Sequence, residues 1–290
     1  MKTQTLDVTD SILKRVSASV KNMRLTNEEK ALLKRKETSV GSLASNAAVQ
    51  AIRQILEENR ASTEAWKYPS TYAPKPIDQQ IIWLGSLMNI PSSEVRRALD
   101  NARKIGNRLP GSSESLGAII NPFLCGSPID TFTRLESTRI ADTVVHCNGI
   151  LSESLRKNWK TRDDAIRILH AQQQSSILVI GFQFGELHAG LSSGNVCEIC
   201  NQEVVEGAEF PLGLVEGMSL LANHPERLMA SVDSLSIECP GDLFRLDNDY
   251  VNNQCPVFMK SGNFIGINVA NVNTPSVRSG AITGFLPPSV

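Results

Sequence analysis

The sequence predicts an α+β protein, with a mostly helical N-terminal part and a C-terminal α+β domain built on a largely antiparallel sheet. Three observations carry this. Apolar residues recur at helical spacing through residues 1–110. Gly, Ser and Pro cluster in "NRLPGSSESLG", 107–117. From Ser175 onward, short β-branched and aromatic runs bounded by turn residues surround a single helical pattern. The expected organisation is a basic helical domain, 1–110, a linker and helical connection, 111–174, and an acidic α+β domain, 175–290.

The elements follow in order. "TDSILKRVSASVKNM" places Ile12, Leu13, Val16 and Val20 on one helical face. "TNEE", Thr26 to Glu29, has the spacing of a capping box. Leu43, Ala47, Ala51 and Ile55 continue the helical repeat, and the proline-rich 61–78 reads as a strap. Helices are expected at Gln79–Ile90, Ser92–Ile105, Ile140–Lys157 and Arg162–Gln172. "SSILVIGFQFGEL" reads as a strand, and "LGLVEGMSLLANHPERL" as a helix with Leu212, Val215, Met218, Leu220 and Leu221 inward. "DSLSIEC", "CPVFMKSG", "NFIGINVA" and "GAITGFL" read as short strands. Ser261-Gly262-Asn263 supplies the turn of a hairpin between the middle two.

Composition bounds the function. Hydrophobic residues make up 41% and charged residues 20%, enough for a core without disulfide or metal. The net charge of −1 is unevenly spread: residues 1–110 carry 18 Lys+Arg against 11 Asp+Glu, and 111–290 carry 11 against 19. Such asymmetry marks either a nucleic-acid contact or two halves that attract each other. No secretory signal pattern follows Met1, and the longest apolar run, Ile177–Phe182, is too short to span a bilayer. Cys125, Cys147, Cys197, Cys200, Cys239 and Cys255 are too dispersed for a disulfide scaffold, so the expectation is a cytoplasmic protein with reduced thiols and no membrane partner.

Residues 84–104, "LGSLMNIPSSEVRRALDNARK", fit a helix-turn-helix. Leu84, Leu87 and Met88 face inward, Gly85 is the small residue, and Asn89 tolerates the left-handed turn. Val95, Leu99 and Ala102 would form the inner face of the second helix. Ser92, Ser93, Arg96, Arg97, Asn101 and Lys104 are then left for DNA. Asp100, near the same outer face, opposes phosphate, and a purely structural hairpin is the favoured reading over DNA binding.

Other candidate chemistry is sparse. Cys197 and Cys200 form a CxxC, which with Cys239 and Cys255 is a weak candidate for zinc because the second pair is not itself a CxxC. Read as strand leading into turn, "VCEIC" points its two cysteines to opposite faces, and Glu198 would raise the thiol pKa. Buried thiols are the favoured reading. Residues 181–250 hold twelve acidic and two basic residues. Glu198, Glu203, Glu206 and Glu209 suggest a solvated acidic face, Glu216 lies in an apolar helix, and Asp242 follows a Pro-Gly turn. His188, Glu216 and Asp242 would have to converge for an enzyme site. No catalytic or phosphate-binding motif is present.

"LVIGFQFGELHAG", "AEFPLGLVEGMSLLANHPERL", "LSIECPGDLF", "PVFMKSGNFIGINVA" and "SGAITGFLP" occur in an order that resembles an uncharacterised bacterial domain family of unknown function, over about residues 175–288. The resemblance implies an independent C-terminal module and no activity, cofactor or catalytic residue. The charge asymmetry and the missing catalytic motifs set the expectation: a non-enzymatic cytoplasmic binding protein without cofactor, acting on a protein partner or on itself as a subunit of an assembly. A DNA-binding regulator and an enzyme of unknown reaction are the alternatives.

Overall fold

The computed structural model describes residues 72–109, 111–123, 144–145, 155–157, 160–201, 204–229, 235–244, 254–261 and 264–289, all within one compact unit, Arg53–Val290. The helices expected over 7–59, Trp66, Trp159, Cys125, Cys147 and Glu203 lie outside the described residues.

Helices α1 (Ile77–Leu87) and α2 (Ser92–Ile105) precede strand β1 (Ser115–Ile120). Strands β2 (Val144–Val145) and β3 (Leu155–Lys157) lead to α3 (Lys160–Gln173) and β4 (Ile177–Gln183). Then come α4 (Ser193–Ile199), β5 (Glu209–Pro211), α5 (Leu214–Asn223) and α6 (Glu226–Met229). Six strands close the chain: β6 (Ser236–Glu238), β7 (Asp242–Phe244), β8 (Gln254–Ser261), β9 (Phe264–Asn271), β10 (Ser279–Ala281) and β11 (Thr283–Phe285). The α+β class is as expected.

The first sheet is antiparallel throughout, in the order β1-β4-β11-β5. The second is built on the β8–β9 hairpin, whose register closes at Ser261 opposite Phe264, at the expected turn. β8 also pairs antiparallel with β6 and β7, and β7 with β3. Two short pairings, β10 with β6 and β2 with β9, are parallel. The expected single strand "GAITGFL" divides at Ile282. Its first half joins the second sheet and its second half the first, which ties the sheets together. The helix expected over Ile140–Lys157 is corrected: the described parts of that range, Val144–Val145 and Leu155–Lys157, are strand, held by pairing with β9 and β7.

β4 is buried along its whole length, so both faces of the first sheet are covered. Alternation sorts the side chains. Leu116, Ala118 and Ile120 of β1 join Ile177 and Val179 of β4 under α1 and α2. Ile119, Leu178, Ile180 and Phe182 face the other way, onto Ala165, Ile166 and Leu169 of α3 and onto α5. Each of the Val, Leu, Ile and Phe side chains so removed from water stabilises the fold by about 1.5–3 kcal/mol. α1 and α2, expected in a separate helical domain, thus share a core with strands of the C-terminal half. The linker expected at 107–117 already contains the start of β1.

Two glutamines complete the backbone pairing of this sheet. Gln80 of α1 donates to the Leu116 carbonyl (3.0 Å) and accepts from Ala118 N–H (3.1 Å). Gln173 does the same for Val179, at 2.7 Å for each bond. An amide side chain offers a donor and an acceptor together, so it can stand in for a neighbouring strand. Among the described residues no helix is long and apolar enough to cross a membrane.

Candidate binding site

The α1–α2 hairpin forms as the sequence suggests. Asn89 takes the left-handed conformation (φ 52°), and the Ile90 N–H donates to the Gly85 carbonyl (2.9 Å). Pro91 stands just outside α2 as its N-cap residue, where its missing N–H costs nothing. Gly85 allows close approach of the helices, since a Cβ there would collide with a methyl of Val95.

The inner face of α2 is rotated from the expected one, with Ala102 common to both. Ala98, Asn101, Ala102 and Ile105 are buried, whereas Val95 and Leu99 are half-buried and turned toward α1. Asn101, assigned to a DNA-facing surface, is corrected: it is 5% exposed and its Nδ2 donates to the Gln173 carbonyl (2.8 Å). Arg97 is exposed but committed. It pairs with Glu94 (2.9 Å) and donates to the Gln174 carbonyl (2.7 Å). Glu94 in turn accepts from the Ser176 N–H (3.1 Å), so the start of α2 is fastened to the approach of β4. Ser92, Ser93, Arg96 and Lys104 remain exposed.

Between the helices lies an open groove of about 480 Å³. Ile90, Val95 and Leu99 line it with apolar surface, and Ser86, Arg96 and Asp100 stand around them. Ile82, 55% exposed, lies one turn before Ser86 on α1. Sequence reasoning missed Ile82 and Ser86. The signal was present in "IIWL", Ile81 to Leu84, because four consecutive apolar residues on a helix cannot all face one core. Trp83 takes another direction and donates its indole N–H to the Ala222 carbonyl (3.2 Å).

The expected trio His188, Glu216 and Asp242 divides between two clusters. Glu216 and Asp242 meet at Arg162, which is wholly buried. The Arg162 Nη2 donates to both Glu216 oxygens (2.7 and 2.9 Å), and Nη1 lies 3.5 Å from Asp242 Oδ1. Burial works against the guanidinium charge, but Asp242 and Glu216 outweigh it and hold Arg162 protonated. The same carboxylates close the N-terminus of α5: Glu216 accepts from the Gly213 N–H (3.1 Å) and Asp242 from the Leu214 N–H (2.7 Å). His188 instead bonds Glu209 through Nε2 (2.6 Å), and the Thr283 hydroxyl donates to the same Glu209 oxygen (2.5 Å). Glu209 therefore leaves the expected solvated acidic face. Among the described residues no hydrogen bond joins His188 to Glu216 or Asp242.

The cysteine segment is corrected as well. It is the helix α4, capped by Ser192, whose hydroxyl accepts from the Asn195 N–H (3.3 Å), and Cys197 and Cys200 are both buried at its C-terminal end. Cys200 packs with Leu191, Val196 and Ala281, Cys239 with the main core, and Cys255 with Leu243 and Val272. Among the described residues no group of three or more His, Cys, Asp and Glu side chains is arranged to hold a metal. Burial raises the Cys197 thiol well above its ordinary value, with Cys255 and Glu198 adding to it. Burial and nearby Glu238 push Cys255 up to about 12.

Glu238 itself is 2% exposed and accepts from the hydroxyls of Ser193 and Ser279, the latter at 2.5 Å. Burial pushes its carboxyl up, and the two hydroxyls offset only part of that. A raised folded-state value means the protonated acid is favoured by folding. The stability it contributes is fully present below the ordinary carboxylate range and is lost as pH rises through the raised value. Glu238→Gln is therefore expected to flatten the fall in urea midpoint between mildly acidic and neutral pH. Identical slopes for the two proteins would refute this.

No protein-family model matches the chain, and no curated protein or solved structure compared with it does either.

Proposed function

We propose that this is a non-enzymatic binding protein that docks a partner protein in the groove between α1 and α2. The observation that carries the reading is the groove itself: an apolar lining that the described residues leave uncovered beside a charged rim, on two helices anchored to the sheet. The buried carboxylates and His188 are engaged in holding elements together, which argues against an active site built from them. A DNA duplex is the other macromolecule that arginines would suit. It is disfavoured because Asn101 is buried and Arg97 and Arg103 are each engaged by a carboxylate, so few basic groups are left to track a phosphate backbone.

The test is selection of random displayed peptides on the full chain and on Ser86→Trp. Ser86 is exposed, so a tryptophan there obstructs the groove without entering the core. Peptides enriched at least tenfold on the native chain, and lost on a Ser86→Trp protein of unchanged Tm, are expected. Equal enrichment on both proteins, or no enrichment while a random-sequence duplex binds and is released by salt, would overturn the reading.

A further inference from the structure

We infer that the segment received by this groove is an acidic amphipathic helix, and that Arg96 selects it; this rests on the groove being the docking site. The shape comes first. Ser92, Arg96, Leu99 and Arg103 all line the groove, and their spacing of four, three and four residues makes one stripe along α2. Gly85 and Ser86 line the groove from α1, and exposed Ile82, one turn before Ser86, continues that side of the helix beyond the groove. Two helices presenting parallel stripes with an apolar strip between them form the seat of a third helix, which would lay its own apolar face onto Val95, Leu99 and Ile82.

The charge comes second. Arg103 is neutralised by Asp100 at 2.7 Å, and Arg97 by Glu94 at 2.9 Å. Arg96 has neither ion pair nor hydrogen bond among the described residues, although Glu94 and Asp100 stand on the same helix. It therefore offers a free planar fork at the edge of an apolar strip, where a carboxylate can be gripped by two hydrogen bonds. Exposed Lys104 beyond it adds positive potential. A partner carrying lysines on the flanks of its apolar face would meet repulsion at the same place, so the rim discriminates as well as attracts.

Two labelled helical peptides test this. Both carry leucines at i, i+3, i+4 and i+7. One has glutamates flanking the leucines and the other lysines. They are titrated onto the full chain, Ser86→Trp and Arg96→Glu, beside a 20-base-pair duplex. The glutamate peptide is expected to bind at least tenfold tighter than the lysine peptide. That preference should shrink at high salt and reverse on Arg96→Glu, and Ser86→Trp should weaken both peptides. Equal binding of the two peptides, still weakened by Ser86→Trp, would sink the inference and leave the docking site standing. Peptide binding indifferent to Ser86→Trp, or duplex binding tighter than either peptide and abolished by Arg96→Glu, would remove both.

Discussion

Arg162→Met is expected to lower stability by about 3–5 kcal/mol, the range seen when one member of a buried ionic cluster is removed. Methionine fills much of the same space, so the loss is electrostatic rather than a cavity. Glu216 and Asp242 would lose the Arg162 cation that stands between them, at sites 0% and 1% exposed. Each is also tied to the N-terminus of α5 through Gly213 and Leu214, so neither can swing to solvent without uncapping that helix. The space is built for the guanidinium: a Cβ at Gly241 would lie 2.8 Å from Arg162 Cδ, and one at Gly213 2.9 Å from its Nε. Urea titration reads the loss as a drop in midpoint with unchanged slope. Adding Glu216→Gln to Arg162→Met should recover part of it, because one unpaired charge is removed. A single-variant loss below about 1 kcal/mol would show that Arg162 is not what holds these carboxylates in place.

Gly280→Ala is expected to cost about 3 kcal/mol or more, through overpacking rather than lost charge. A Cβ on Gly280 would fall far inside van der Waals contact distance of the Gly185 carbonyl oxygen and 2.8 Å from its carbonyl carbon. Both neighbours are backbone, so no rotamer change relieves the contact. Gly185 has φ +92° and cannot retreat into ordinary strand geometry. β10 would have to shift, which strains its pairing with β6 and the Ser279 bond to Glu238. Gly207→Ala is the comparison. It has φ +78° but open space around the Cβ position, so only the left-handed strain of about 1 kcal/mol applies. Equal losses for the two variants would refute the overpacking account.

Much of the fold is legible locally because pattern and burial agree. "ILVIGFQ" is a buried strand, and "LVEGMSLLAN" is a helix whose all-round apolarity matches burial on nearly every side. The β8–β9 hairpin follows from two alternating runs and their turn residues. The misreadings have physical reasons. α4 has seven residues, too few for a helical repeat to outweigh the apparent alternation of "VCEIC", although the Ser192 cap was a usable signal. Asn101 is polar by type, yet its burial depends on a carbonyl 72 residues away, which no local pattern contains. The same holds for Arg97, whose second partner is Gln174. Of the groove, Gly85 and Arg96 were visible as parts of a helix pair joined at Asn89. That the pair leaves a groove rather than closing on itself depends on how α2 is rotated against β4, which only the packed structure settles.

Methyl NMR of the full chain, titrated with a peptide selected on it, tests the central claim most directly. The docking site predicts that the largest shifts fall on the methyl groups of Ile82, Ile90, Val95 and Leu99, with those of Leu191 and Val257 unchanged. Shifts centred elsewhere, with the four groove residues silent, would contradict it.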